Sequence, residues 1–426
     1  MARWNTIARG AAFAAAASLA LAACSTDSDP EASGSEGGSE GSGSTDALKI
    51  GTVLPLTGSL AFLGPPEVAG VDLAIQEINE AGGVLGNDVT VEHEDSSDTT
   101  QANIAPQSAS KLISDGVSAI IGAASSSVTL NFVDDVVASE VVQVSPANTA
   151  TALSGYSDFF FRTAPPDSVQ GNALANLILE DGHTNVGILV FNDDYGTGLR
   201  DVIKSTIEEG GGTITYGNPG EEFDPAATNF TAEVEAVMGT NPDALVLIAF
   251  DQTKQIIPEL LAADLDPTTL YMVDGNTADF SADFDPAALE GAQGTIPGAQ
   301  ASDDFAQRLE EAYGEPLDSL AYGPESYDAT MLVALAAVHS GGTDGPSIQS
   351  SMAAVSGSTG GTECSTFAEC VELLDAGEEI DYKAVSGVEA FNDANDPSAA
   401  YVGVYKYDAE NVPVWQSEVF GEVPAS

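Results

Sequence analysis

Residues 121–131, IGAASSSVTLN, carry three consecutive hydroxyls where an apolar run gives way to a helical pattern. One of Ser125, Ser126 and Ser127 suffices to cap a helix start, by accepting a backbone N–H two or three positions on. The hydroxyls left over, with the unpaired N–H groups at the positive end of a helix, form a natural seat for a carboxylate. Thr149 ends the next apolar stretch, after Ser145-Pro146-Ala147, and brings a second hydroxyl toward the same point. Plain capping and anion binding both stay open on these residues alone. Covalent or metal chemistry has no comparable set. A phosphate loop, HExxH and GxSxG are all absent. His93, His183 and His339 read as isolated structural side chains, and Asp279, Asp283 and Asp285 lack calcium-loop spacing. The expectation is a protein that is not an enzyme, with no metal and no cofactor.

The elements that must position these hydroxyls alternate between strand and helix. Lys49 to Leu54 reads as a strand. Pro66 can open a helix whose Val68, Val71, Ile75 and Ile78 repeat at helical spacing until Gly82-Gly83 stops it. Strands at Val89 to Val91, Ala119 to Ile121 and Val141 to Val144 follow, with helices near Gln101 to Ser114 and Val128 to Ser139. A second series starts after Phe159 to Arg162: helix Asp167 to Leu179, strand Val186 to Phe191, helix Leu199 to Ile207, strand Ala244 to Phe250, helix Thr253 to Leu261 and strand Leu270 to Val273. The rest offers a strand at Gly294 to Ile296, helices Asp303 to Tyr313 and Tyr327 to His339, and strands Tyr401 to Tyr407 and Val414 to Phe420. These complete the two earlier units rather than start a third, so the chain must pass between lobes several times, which makes a hinge. The chain from Ala47 also exceeds the roughly 250–300 residues at which a single core stops growing.

Acidic residues outnumber basic ones 66 to 11. Such a field repels nucleic acid and anionic lipid. The first 23 residues read as an export signal: Arg3 and Arg9, a short apolar core from Ala11 to Ala20, then small residues. Leu21-Ala22-Ala23-Cys24 resembles a bacterial lipobox, which implies lipidation of Cys24 and a membrane-anchored, extracytoplasmic protein. Residues 24–46, nearly all Ser, Gly, Asp and Glu, read as a disordered tether. Of the remaining cysteines, Cys364 and Cys370 are expected to form a structural disulfide in an oxidising compartment. They bracket Thr366 and Glu369, which have the spacing of a capping box for a helix from Phe367 to Leu374.

IGTVLPLTG at 50–58, GVDLAIQEINEAGG at 70–83, VSPANT at 144–149, FRTAP at 161–165 and DYGTG at 194–198 together resemble the Leu/Ile/Val-binding protein family, in the right order across nearly the whole body. These are extracytoplasmic receptors of ABC importers with the type I periplasmic-binding-protein fold. The resemblance implies an α/β protein of two Rossmann-like lobes with parallel sheets, joined by three crossovers near Arg162 to Pro166, Thr295 to Gly298 and Pro397 to Tyr401. It assigns 47–163 plus 297–398 to lobe 1 and 164–296 plus 399–426 to lobe 2.

It also implies that Ser126 and Thr149 hold the α-carboxylate of an amino acid, that the Ala147 carbonyl accepts from its ammonium, and that Asp274 supplies the counter-charge from the second lobe. Tyr195 and Tyr322 match aromatic wall positions. This sequence departs from the family at Leu63 and near Phe250, where tyrosines are usual, and at Asp274, one methylene shorter than the usual glutamate. The implied partners are a small-molecule solute, a branched-chain or related amino acid, and a membrane permease, with the protein itself a monomer. Amides, urea, aromatic acids, and a role as a sensor input domain are the alternatives.

Overall fold

The computed structural model describes residues 44–423. The export signal, Cys24 and most of the tether lie outside the described residues. The tether's last residues do not hang free: Thr343 donates its backbone N–H (2.6 Å) and hydroxyl (3.0 Å) to the Ser44 carbonyl, and Ser44 N–H donates to Asp344 Oδ2 at 2.8 Å. Residues 44 and 46, which the sequence reading placed in the tether, are thus bonded to Thr343 and Asp344.

Strands β1 (Lys49–Leu54), β2 (Thr90–Asp95), β3 (Ala119–Gly122), β4 (Val142–Ser145) and β5 (Phe160–Arg162) form a parallel sheet in the order β2-β1-β3-β4-β5. β6 (Asn185–Val190), β7 (Thr213–Tyr216), β8 (Ala244–Ile248), β9 (Leu270–Met272) and β10 (Gln293–Pro297) form the parallel part of a second sheet. Residues 362–364 and 380–382 make a small ribbon, β11 (Thr362–Cys364) and β12 (Ile380–Tyr382). β13 (Ala399–Tyr407) and β14 (Pro413–Glu422) then extend the second sheet antiparallel, giving β14-β13-β10-β9-β8-β6-β7. In each sheet the chain leaves its first strand to one side and returns on the other, at β1 and at β6. Ligand crevices form at such switch points, beyond the carboxyl ends of the strands.

Helix α1 (Gly64–Glu80) starts on the prolines and is stopped by Gly82 and Gly83, both at positive φ. It covers one face of the first sheet with α9 (Asp303–Tyr313), α10 (Gly323–Ser340) and α11 (Gly345–Val355), while α2 (Ile104–Ser114), α3 (Ser126–Leu130) and α4 (Val133–Ala138) cover the other. The second sheet is sandwiched with α5 (Asp167–Glu180), α6 (Asp194–Glu209), α7 (Thr231–Gly239) and α8 (Thr253–Ala262).

The single helix expected over Val128 to Ser139 is two helices, because Phe132 leaves helical geometry (φ −140°) to bury its ring in the apolar cluster. α10 starts four residues earlier than its apolar periodicity indicates, with Pro324 in its first turn and with Glu325, Ser326 and Asp328 buried. β7, α7 and α11 have no counterpart in the sequence reading.

The disulfide joins Cys364 to Cys370, with Cα atoms 5.3 Å apart, and fastens the start of α12 (Phe367–Asp375) to β11. Thr366 caps α12, accepting the Glu369 N–H at 3.3 Å. Glu369, however, reaches back to the Ser365 N–H, also at 3.3 Å, rather than to that of the cap residue, so the box is displaced by one residue.

The chain crosses between sheets three times, and a buried ion pair ties the first crossing to the third. Arg162 ends β5 fully buried; its Nε and Nη2 lie 2.7 Å from Asp396 Oδ1, and its Nη1 donates to the Ala150 carbonyl at 2.9 Å.

Candidate functional site

β3 ends at Gly122, whose φ of +118° and close approach to the Val53 carbonyl, 2.1 Å from where a Cβ would sit, exclude a side chain. The chain turns there into the three serines, and each does something different. Ser125 caps α3, accepting the Val128 N–H at 3.4 Å. Ser126 is buried and accepts the Ala150 N–H at 3.2 Å, tying the loop after β3 to the loop after β4. Ser127 reaches across to the other lobe, donating to Asp194 Oδ2 at 3.0 Å and accepting the Asp194 N–H at 3.2 Å. α3 is only five residues long, so the macrodipole inferred from the sequence is small. The donors here are local hydroxyls and N–H groups.

Ser126, Ala147, Thr149, Tyr195, Asp274 and Tyr322 line one cavity between the lobes, closed by Leu60, Leu63, Ala124 and Phe250. Thr149 is 1% exposed, and its hydroxyl has no hydrogen-bond partner among the described residues. A buried unpaired hydroxyl costs free energy unless a ligand meets it. Asp167, at the first turn of α5, is fully buried beside it; the two side chains approach without good hydrogen-bond geometry, and burial, reinforced by the nearby Asp274 charge, pushes the Asp167 carboxyl well up.

Asp274 follows β9 in a short turn and is held by three donors. Tyr195 Oη donates to its Oδ1 at 2.6 Å and Gln170 Nε2 to the same oxygen at 2.9 Å, while Tyr322 Oη donates to Oδ2 at 2.6 Å. Burial pushes its carboxyl pKa above the ordinary range; the three donors work against that shift without cancelling it. The tyrosines therefore serve as hydroxyl donors as well as walls. Tyr195 is held in place by stacking on Phe250, centroids 5.6 Å apart. Tyr322 sits just before α10 in left-handed backbone geometry, φ 62°, which is strained for an aromatic residue and fits a functional position.

The cavity measures about 20 Å³, room on the order of one water molecule, so the lobes are drawn together and an organic ligand requires them to open. Gln170 and Asp167 are the site residues that the sequence reading missed. Their one signal is position, in the first turn of the helix that follows the first crossing.

A hydroxyl–imidazole–carboxylate line occurs elsewhere: Thr52 Oγ1 lies 2.9 Å from His93 Nδ1, and Asp72 Oδ1 lies 3.0 Å from His93 Nε2. Thr52 is fully buried, so the line joins β1, β2 and α1 rather than presenting a nucleophile.

Residues 47–369 match the periplasmic binding protein family model. The chain is 26% identical over 376 residues to the chemotactic signal transduction system substrate-binding protein BasB of Halobacterium salinarum, covering 83% of this chain and 86% of that protein. It is 30% identical over 194 residues to the Leu/Ile/Val-binding protein BraC3 of Rhizobium johnstonii, which is 44% of this chain and about half, 52%, of the relative. The crystal structure of the branched-chain amino acid transporter substrate-binding protein LivJ of Streptococcus pneumoniae, in complex with isoleucine, superposes with a TM-score of 0.72 at 22% identity, covering 89% of this chain and all of the other.

Proposed function

The chain belongs to the Leu/Ile/Val-binding family of periplasmic binding proteins, solute-binding proteins of ABC-transporter type, and on that premise we propose that it captures a branched-chain or related L-amino acid between its lobes and delivers it to a membrane permease. The observation that carries the reading is the pairing of unlike walls. Ser126 and the unpartnered Thr149 hydroxyl line one side of the cavity, and Asp274 lines the other. A zwitterion needs this arrangement, because each of its charges must be matched when closure removes water.

In this reading the α-carboxylate accepts from Ser126 and Thr149, and the ammonium donates to Asp274, whose tyrosine partners can rotate aside while the lobes are open. Leu60, Leu63 and Phe250 give an apolar lining suited to an aliphatic side chain. The export signal over residues 1–23, lipidation of Cys24 and the tether belong to the same proposal, as do the extracytoplasmic location and the monomeric state.

A thermal-shift screen of amino acids, their amides, urea and aromatic acids tests the ligand class. An aliphatic L-amino acid at a hundredfold excess over Kd is expected to stabilise the fold by about 2.7 kcal/mol, because it binds only the closed, folded chain. A response to amides or aromatic acids equal to that of the zwitterion would defeat the amino-acid reading. Replacing Cys24 with serine is expected to release the protein from membranes; retention would count against the anchor.

The likeness to a chemotactic substrate-binding protein supports a second reading, in which the closed form also reports to a membrane receptor. Co-purification of the ligand-bound chain with a receptor rather than a permease would favour it.

A further inference from the structure

Tyr322 is a wall between two cavities. Behind it, away from Asp274, lies a second cavity of about 360 Å³, within the ~300–1,000 Å³ typical of small-molecule sites. Its sides come from the second sheet (β10, β13 and β14), from α9 and from the turn that starts α10, and its lining includes Glu325, Tyr405 and Trp415.

Glu325 is 2% exposed, and among the described residues its carboxylate takes a hydrogen bond only from its own backbone N–H; burial pushes the carboxyl well up, so its charged form is costly here until a cation meets it. Gly298 makes this position possible. It sits at φ +109°, and a Cβ there would lie 2.3 Å from Glu325 Oε1, so any side chain at 298 would displace the carboxylate. Directly behind is Glu67 on α1, fully buried with both oxygens unpartnered and close enough to Glu325 to feel its charge.

No lysine or arginine lines the cavity, and Asp279, Asp303 and Asp318 add to its negative field. Tyr405, near enough to Glu325 to feel its charge, meets Trp415 edge to face, centroids 5.4 Å apart. A buried carboxylate without a partner, facing aromatic rings, lacks one thing, a cation with an apolar surface. Among the described residues no three metal-type ligands come together, which favours an organic cation over a bare metal ion.

We propose that this cavity binds a small organic ammonium ion, its charge against Glu325 and its methyl or methylene surface on Tyr405 and Trp415. Since Tyr322 lines both this cavity and the cleft, an occupant here shares a wall with the solute there. The site is independent of which solute the cleft takes.

The test is calorimetric titration of the full chain with choline and with its uncharged isostere 3,3-dimethylbutan-1-ol. Choline is expected to bind saturably and the alcohol at least roughly tenfold more weakly, since only the cation gains from the carboxylate and the ring faces. Glu325→Gln and Trp415→Leu, each checked for folding by circular dichroism, are each expected to weaken choline about tenfold. Absence of saturable choline binding up to about 10 mM, weaker than any functional Kd of interest, would overturn the proposal. So would equal binding of the alcohol or indifference to Glu325→Gln.

Discussion

The wall of the cleft that follows β3 and β4 meets the cavity with neutral groups, the hydroxyls of Ser126 and Thr149, and keeps its charge one layer back, where Arg162 grips the Ala150 carbonyl and Asp396. The wall that follows β9 does the reverse, with the Asp274 carboxylate in the cavity and only hydroxyl and amide donors around it. A carboxylate-bearing guest needs donors, and neutral donors lose little when the site is empty. An ammonium-bearing guest needs an anion, and a buried anion is costly without one. The second wall therefore borrows Tyr322 from the opposite lobe, and the contact that stabilises the carboxylate also draws the lobes together.

The largest effect expected comes from removing the hidden charge. Arg162→Met should lower unfolding stability by about 3–5 kcal/mol in denaturant titration, because it leaves Asp396 buried and unpaired. A loss below about 1 kcal/mol, the size of a surface pair, would mean that the first wall does not depend on this ion pair.

Next is the charge that faces the cavity. Asp274→Asn should weaken a zwitterionic amino acid by about 100-fold, on the order of 3 kcal/mol, and its amide far less, as read by calorimetry. Equal losses would remove Asp274 from the ammonium position. The same carboxylate predicts a pH effect. Its folded pKa lies above the ordinary 3.8, so acidification protonates it before a free aspartate and amino-acid affinity should fall from that higher pH downward. Affinity flat down to pH 4 would contradict this.

Thr149→Val should cost about tenfold in affinity with little loss of stability, since its hydroxyl has no partner in the protein to lose. Unchanged affinity would leave Ser126 alone on the carboxylate side.

Asp167→Asn should stabilise the ligand-free protein by about 1 kcal/mol at neutral pH, because it removes a carboxylate that burial disfavours. A raised folded pKa gives stability that is fully present below the unfolded value and is lost as pH rises through the folded value. The advantage of the asparagine should therefore vanish as pH falls below about 3.8, where both states of the wild type are protonated. Thermal melts at pH 7 and pH 3.5 would show it.

The smallest effect is at the rim. Ser127→Ala breaks the link to Asp194 and should shift the lobes toward the open form by about 0.5 kcal/mol, roughly a twofold loss of affinity. A tenfold loss would make this bridge part of the site itself.

Much of the fold was legible because its information is local. Gly82 and Gly83 stop α1 where φ must be positive, the prolines open it, and continuous apolar runs such as 244–248 are what strands buried on both faces require. The edge strand β7, half exposed, and the helix α11 escaped notice because short, mixed segments owe their structure to neighbours rather than to their own periodicity. The break at Phe132 has the same origin, since a buried ring outweighed the helical preference of its flanks.

The sequence by itself determined which residue types stand at the ends of which strands, because hydroxyls and carboxylates after apolar runs are written in order along the chain. Tertiary structure alone decided their partners. That Tyr322 and Gln170 converge on Asp274 across 48 and 104 residues, that Ser127 spans the cleft while Ser125 only caps, and that Glu67 and Glu325 are buried without a counter-charge all follow from how two sheets and three crossings meet. Such long-range encounters leave no local pattern, because the energy that fixes them comes from burial and pairing that exist only once the chain has folded.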